Sequence, residues 1–268
     1  MRDTGAIPVN DDADVGRRLR TLDAVVGVTY AVQAIIVAFA IAAIDSPVLL
    51  PVTGTFAAGP VGASAEQTVR VDLAAVDLGV AVVVLLAAGA LVRFAMLIPA
   101  LGVRRSDATA VGRNAVRWGE WSQVSAIIVF LVAQLNGITE VTSLVPIYAI
   151  TATAALLLAS QERAGAGPTG RRLGAIAAMI GIVPWGVIAF AQIGATIATG
   201  APGVTVRIIT IAMLAIAVAV WGFVWRAGHR WTDANAVGHE VVYLGLALLG
   251  TGTFAWLAVG GIVLPSAL

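Results

Sequence analysis

The chain contains no lysine and no cysteine. Without cysteine there is no disulfide, no thiolate metal ligand and no thiol nucleophile. Without lysine no side chain offers a primary amine, the group that a Schiff base requires. The only primary amine left is the N-terminus, at the end of a polar leader. Charge is scarce too: 12% of residues are charged, against roughly a quarter in soluble domains. The net charge is +1, and no basic run or basic–aromatic alternation offers a footprint for nucleic acid, so no such partner is expected. HExxH, P-loop and GxSxG patterns are all missing, so no enzyme is expected. His229 and His239 lie ten apart beside Asp233 and Glu240. The set could be a metal pair or a solvated helix connection; the second reading is the better one, and no metal or other cofactor is expected.

Apolar residues, by contrast, make up 59% of the chain, and mean hydropathy is +0.95. A globule of this size cannot hide so much apolar surface from water. Lipid resolves the conflict. Long apolar stretches fall at about 22–44, 77–98, 116–136, 142–160, 173–197, 206–225 and 241–264. Each is long enough, at 1.5 Å per residue, to cross a hydrocarbon core of roughly 30 Å. They are apolar throughout instead of alternating at period two, so strands are excluded in favour of helices, which satisfy their own backbone. The fold class is therefore all-α: a bundle of seven transmembrane helices.

Arginine sets the expected direction. With the N-terminus cytoplasmic, 13 arginines lie inside: Arg2, Arg17, Arg18 and Arg20, then Arg104, Arg105, Arg113 and Arg117, then Arg163, Arg171 and Arg172, then Arg226 and Arg230. Only Arg70 and Arg207 lie outside, and Arg93 falls within the second span. One span more or fewer would invert every later loop, so this asymmetry predicts a multi-pass protein of the cell membrane, N-terminus inside and C-terminus extracellular. The first span is too long for a signal-peptide core and reads as a retained helix. Residues 1–16 read as a flexible cytoplasmic tail, and 17–268 as one membrane domain. The long outer segment at about 45–76 has β-branched edges, Val52–Phe56 and Thr68–Asp72, around a Gly/Pro-rich centre, and predicts a surface hairpin.

Polar residues inside the spans mark candidate sites, because lipid penalises them. Glu120 sits about 9 Å into the third helix if that helix starts near Asn114. Arg117, three positions earlier, is its nearest possible partner. Arg93 either snorkels to the inner surface or joins an internal network. Gln33, Gln134, Gln192 and Thr251, with Tyr30, Ser122 and Ser125, suggest two polar pockets, one towards each face. Among the tryptophans, Trp118 and Trp121 flank Glu120, while Trp185, Trp221, Trp225 and Trp256 lie on the last three spans. Trp185 follows Pro184, which opens the backbone ladder and bends the fifth span.

These motifs, in this order and topology, resemble the heliorhodopsins, inverted-topology relatives of microbial rhodopsins. Asn114-Ala-Val-Arg-Trp-Gly-Glu-Trp-Ser122 is similar to the family's third-helix pattern Asn-Pro-Leu-Arg-Trp-x-Glu-Tyr-Ser. Tyr30-Ala-Val-Gln33 falls where the family has His-x-x-Gln. Gly137-Ile-Thr-Glu140 and Gln161-Glu162 bracket the fourth helix, and Gly181-Ile-Val-Pro184-Trp185 matches the fifth. Glu240-Val-Val-Tyr243 and Phe254-Ala-Trp256 match the two ends of the seventh. The likeness covers nearly all of residues 17–261. It implies that Glu120 stands at the position of the Schiff-base counterion and Thr251 at that of the retinal-binding lysine. It also implies that Tyr30 replaces one histidine and that Arg93 stands on or beside a second. The family's outer hairpin contributes to its dimer, so a homodimer is expected.

The departures shape the functional expectation. With Thr251 for lysine, and no lysine elsewhere, covalent retinal is excluded by chemistry. The leading expectation is a retinal-free sensory or regulatory membrane protein that holds a noncovalent apolar ligand or signals through a protein partner. A proton or ion channel or small transporter using Glu120, Arg93 and the glutamines is the alternative, and a structural assembly module is a third. The expected site is a polar, water-containing cavity between Glu120 and Thr251, lined by Tyr30, Gln33, Arg93, Trp121, Ser122, Ser125, Trp185, Trp221 and Trp256. Tryptophans are expected to narrow its outer end.

Overall fold

The structure, a computed structural model, describes residues 10–59, 68–99, 101, 115–165, 167–198, 202–228 and 236–267. Helix α1 spans Asn10–Ala42, followed by strands β1 (Leu49–Ala57) and β2 (Thr68–Asp77) and helix α2 (Leu78–Ala95). Helices α3 (Ala115–Leu135), α4 (Val141–Ala164), α5 (Pro168–Gly181), α6 (Val183–Ala198), α7 (Val204–Gly228) and α8 (Ala236–Ala258) complete the bundle. A π-turn over Val259–Val263 extends α8.

Pro184 explains why α5 and α6 are separate pieces of one span. It has no N–H to donate to the carbonyl of Ile180, and its ring crowds that carbonyl. The ladder breaks at Ile182 and resumes with Gly186 N donating to Ile182 O at 3.0 Å. Helix α1, with 33 residues, runs to about 50 Å at the standard rise, longer than a hydrocarbon core. Its surplus is the N-terminal end, where Arg17, Arg18 and Arg20 are exposed. Helix thus begins within the stretch expected to be tail; residues 1–9 lie outside the described part. Among the described residues, six spans are long and apolar enough to cross a membrane by length and composition. The helix outside that set is α3, whose first half carries Arg117, Glu120, Ser122, Gln123 and Ser125.

The exterior is apolar where a soluble protein would be polar: Phe190 is 77% and Ile197 82% exposed. That is a surface made for lipid. The interior packs Val37, Leu78, Leu86, Leu131, Ile188 and Phe254 with almost no exposure. Helix α1 packs on α2, α3 on α4, α4 on α5 and α7 on α8, and α8 closes the ring against α1 and α2.

The expected hairpin is present. β1 and β2 pair antiparallel, with Thr53 opposite Asp72 and Thr55 opposite Arg70, and a bulge at Val52/Thr53; residues 60–67, which include most of the expected turn, lie outside the described part. Asp77 ends β2 and caps α2, accepting from Val80 N at 3.0 Å. The α3–α4 turn pins the hairpin. Glu140 accepts from Thr55 N at 3.1 Å and from Thr55 Oγ1 at 2.7 Å, and Arg70 donates to Thr139 Oγ1 at 3.0 Å. Gln134 Nε2 adds a bond to the Pro51 carbonyl at 3.1 Å.

Candidate functional site

Two clusters of buried charge lie in the half of the bundle away from the hairpin. The first joins α1, α2 and α3. Asp23, Gly27 and Tyr30 recur at helical spacing on one face of α1, and Gly89 and Arg93 do so on α2. The two helices approach so closely there that a Cβ on Gly27 would stand 2.9 Å from the Phe94 ring and 3.1 Å from Arg93 Cβ. One on Gly89 would lie 3.2 Å from the Tyr30 ring. Arg93, 2% exposed, donates to Asp23 Oδ1 at 3.3 Å and forms an ion pair with Glu120 of α3. It is therefore an internal group and does not snorkel.

The second cluster joins α3, α4 and α8. Arg117 donates to Glu240 Oε2 at 2.7 Å and to Glu162, which also accepts from Trp118 Nε1. The guanidinium lies 4.8 Å from the Tyr243 ring centroid, a cation–π distance. Arg117 thus pairs across helices and not with Glu120, the partner that helical spacing pointed to. Two cross-helix carboxylates compensate a desolvated guanidinium better than one neighbour on the same helix. Glu240 is fully buried, so it is no part of a solvated helix connection. His239, on α8 and not in a loop, packs its ring edge-on to Phe223; His229 and Asp233 lie outside the described residues. No group of three or more metal-ligating side chains occurs among the described residues.

Nearer the hairpin, a third, uncharged cluster links three helices. Asn136, just past the end of α3, donates to Thr210 Oγ1 of α7 at 2.9 Å and accepts from Gln192 Nε2 of α6 at 2.7 Å. Polar side chains thus gather in two layers, one in each half of the bundle.

Between the charged clusters and this uncharged layer lie three adjoining cavities. The smallest, about 10 Å³, is lined by Tyr30, Arg117, Glu120, Trp121, Tyr243 and Thr251, among others. That is room for a single water centre. A space of about 40 Å³ follows, sharing Trp121, Val124 and Thr251 with it and reaching Trp185 and Met213. The largest, about 360 Å³, lies among α3, α4, α5, α6 and α7 and is lined by Trp121, Ser125, Thr151, Leu158, Trp185 and Trp221, with small residues from α4 and α5. Its lining is almost wholly apolar, with the Ser125 and Thr151 hydroxyls already bonded to the Trp121 and Ile147 carbonyls.

The expected site is thus redistributed. Tyr30, Glu120, Trp121 and Thr251 meet around the small cavity, while Trp121, Ser125, Trp185 and Trp221 surround the large one. The space between Glu120 and Thr251 is nearly closed, and the room lies further on, in apolar surroundings. Gln33, Arg93, Ser122 and Trp256 line none of the three cavities. Trp256 is 45% exposed and lends only its Nε1, which donates to Gln33 Oε1 at 3.0 Å. Ser122 is buried and donates to the Gly119 carbonyl. Three participants were missed: Asp23, Glu162 and Glu240. A carboxylate inside the first apolar stretch was the available signal for Asp23.

The family model for heliorhodopsin matches residues 19–263 of this chain. The chain belongs to the heliorhodopsin family. No curated protein matches it. The match takes in both charged clusters, so this heliorhodopsin carries its buried Arg93 and Arg117 within the matched region. Without a lysine anywhere, it is a heliorhodopsin that cannot form a retinal Schiff base through a side chain.

Proposed function

We propose that this heliorhodopsin is a retinal-free, non-catalytic sensory or regulatory protein of the cell membrane that holds a noncovalent apolar ligand. In this reading its N-terminus is cytoplasmic, Glu120 occupies the former counterion position and Thr251 the former lysine position. The observation that carries it is the cavity of about 360 Å³, whose wall shares Trp121 and Trp185 with the smaller space at Thr251. Its size is within the range of small-ligand sites, and its lining suits a flat or branched hydrocarbon. The test is native mass spectrometry of protein gently extracted from its own membrane. A bound carotenoid, retinoid or lipid mass is expected, and Ala155→Phe, which fills the cavity, is expected to lose it while remaining folded. A wild-type protein that flies empty removes the ligand from the proposal.

The channel reading is weaker. Between Ser125 and Gln134, α3 buries Ala126, Ile128, Val129, Leu131, Val132 and Ala133, an apolar layer roughly 12 Å deep at the standard rise. That layer separates the charged clusters from the outer polar one.

The same reading includes a two-fold dimer through the hairpin. β2 is exposed from Thr68 to Ala75 and presents Val69, Val71 and Leu73 on an edge strand, an arrangement prone to pairing. Light scattering in mild detergent is expected to give a dimer mass, and deletion of 54–66 to shift it towards monomer. A monomer for the intact protein at micromolar concentration defeats the dimer.

A further inference from the structure

At the end of the bundle away from the hairpin, the carboxylates of Asp23, Glu120, Glu162 and Glu240 are all turned inward. Glu162 shows what this does to the surface. In sequence it neighbours Arg163, and the two read as a neutral pair. In the fold its carboxylate is taken by Arg117 and Trp118, and Arg163 is left exposed. Arg171 and Arg172 near the start of α5, and Arg226 in the last turn of α7, are exposed as well. Among the described residues none of these four guanidinium groups has an ion pair or a hydrogen bond, and no exposed acid stands at this end. The four form one patch, because α4, α5 and α7 meet at Gly174. A Cβ there would collide with the Gln161 amide oxygen and stand 2.9 Å from the Trp225 ring, and Trp221 Nε1 donates to the Gly174 carbonyl at 3.3 Å. Arg163 lies two residues past Gln161, Arg171 and Arg172 three and two before Gly174, and Arg226 one past Trp225. Each is thus within about a turn of the contact, roughly 5 Å at the standard rise.

Helix stability does not account for the patch. Arg163 and Arg226 close their helices, where a cation suits the dipole, but Arg171 and Arg172 stand at the opposite, unfavourable end of α5. Like charges gathered so closely repel, so the patch favours an anion supplied from outside. Its depth points to the source. The apolar spans end at Ala164 and Arg226 and begin at Pro168, so the guanidinium groups lie where hydrocarbon gives way to headgroups. From Arg172 an exposed apolar strip continues through Ile176, Met179 and Val183 at helical spacing. We propose that this patch is a binding site for an anionic phospholipid, its phosphate held among the arginines of α4, α5 and α7 and an acyl chain lying on Ile176, Met179 and Val183. Basic surfaces between spans are suited to such headgroups.

Phosphatidylglycerol, phosphatidylcholine and free glycerol phosphate separate the sources of the anion. Each is titrated into the full-length protein in a nonionic detergent, and native mass spectrometry reads the first molecule bound. The wild type is expected to bind phosphatidylglycerol at least about tenfold tighter than phosphatidylcholine. Arg171→Gln/Arg172→Gln is expected to weaken phosphatidylglycerol by about fivefold per arginine and so to remove the preference. Arg20→Gln, exposed at the same end but on α1, is expected to leave it unchanged. The substituted side chains are exposed and make no contact that the fold depends on, and Arg163→Gln/Arg226→Gln repeats the measurement from the other two helices. Equal affinity for the two lipids overturns the proposal and leaves the patch to a partner outside the bilayer. A preference that both double variants retain overturns it too. So does a loss with Arg20→Gln as large as theirs, since the preference would then be a general effect of surface charge. Glycerol phosphate that displaces phosphatidylglycerol at equal concentration overturns the lipid as occupant, because the acyl chains would then contribute nothing.

Discussion

All-trans retinal added to the purified protein is expected to give no visible Schiff-base band and no borohydride-reducible adduct. A Schiff base forms when an amine nitrogen attacks the aldehyde carbon and water leaves, and no side chain here supplies that nitrogen. A stable, hydroxylamine-sensitive visible pigment in the wild-type protein sinks the argument. The complementary experiment places the amine back. Thr251 is buried and shares the small cavity with Glu120, so a lysine side chain there points into the space leading to Trp121 and Trp185. Thr251→Lys is expected to bind retinal covalently, at one per chain, with mass spectrometry of the reduced adduct as the readout. No adduct at all with Thr251→Lys in a folded protein means that 251 is not the former lysine position.

The second large effect is expected at Arg117. Its guanidinium is held by Glu162 and Glu240, and Glu240 is fully buried. Arg117→Gln leaves two carboxylates facing each other out of water, and breaking such a buried pair costs about 3–5 kcal/mol. Thermal melting in detergent is expected to fall by the order of 10 °C, given the few degrees per kcal/mol typical of chains this long. Arg117→Lys keeps the charge but has only one nitrogen to offer, and is expected to retain part of the loss. The triple change Arg117→Gln/Glu162→Gln/Glu240→Gln removes both carboxylate charges along with their partner and is expected to recover most of the stability. Equal melting of Arg117→Gln and the wild type would show that this cluster has no energetic weight in the fold. The contrast with Glu120→Gln is informative, because Glu120 is the more exposed partner in its cluster, at 11% for the side chain against 0% for Glu240. A smaller loss is expected there.

Hydropathy located the seven helical segments, six of them long and apolar enough to cross a membrane, because a helix in lipid must be apolar over a fixed length whatever its neighbours do. The hairpin was legible for a related reason, as its β-branched edges and Gly/Pro centre are local signals. The missing lysine needed no structure either, since an absent functional group is absent in every conformation. Which polar side chains meet was a different matter. The sequence offered Arg117 as the partner of Glu120, because spacing along one helix is the only proximity a sequence displays. Helix rotation and the close α1–α2 approach at Gly27 gave Glu120 to Arg93, and sent Arg117 to Glu162 and Glu240 on helices far along the chain. The cavity went the same way. The sequence named Trp121, Trp185 and Trp221 as bulky rings, but whether rings fill a space or border one depends on interhelix distances that only packing sets. Here the break at Pro184 and the small residues of α4 and α5 leave them bordering an apolar space, while the polar gap between Glu120 and Thr251 is nearly shut.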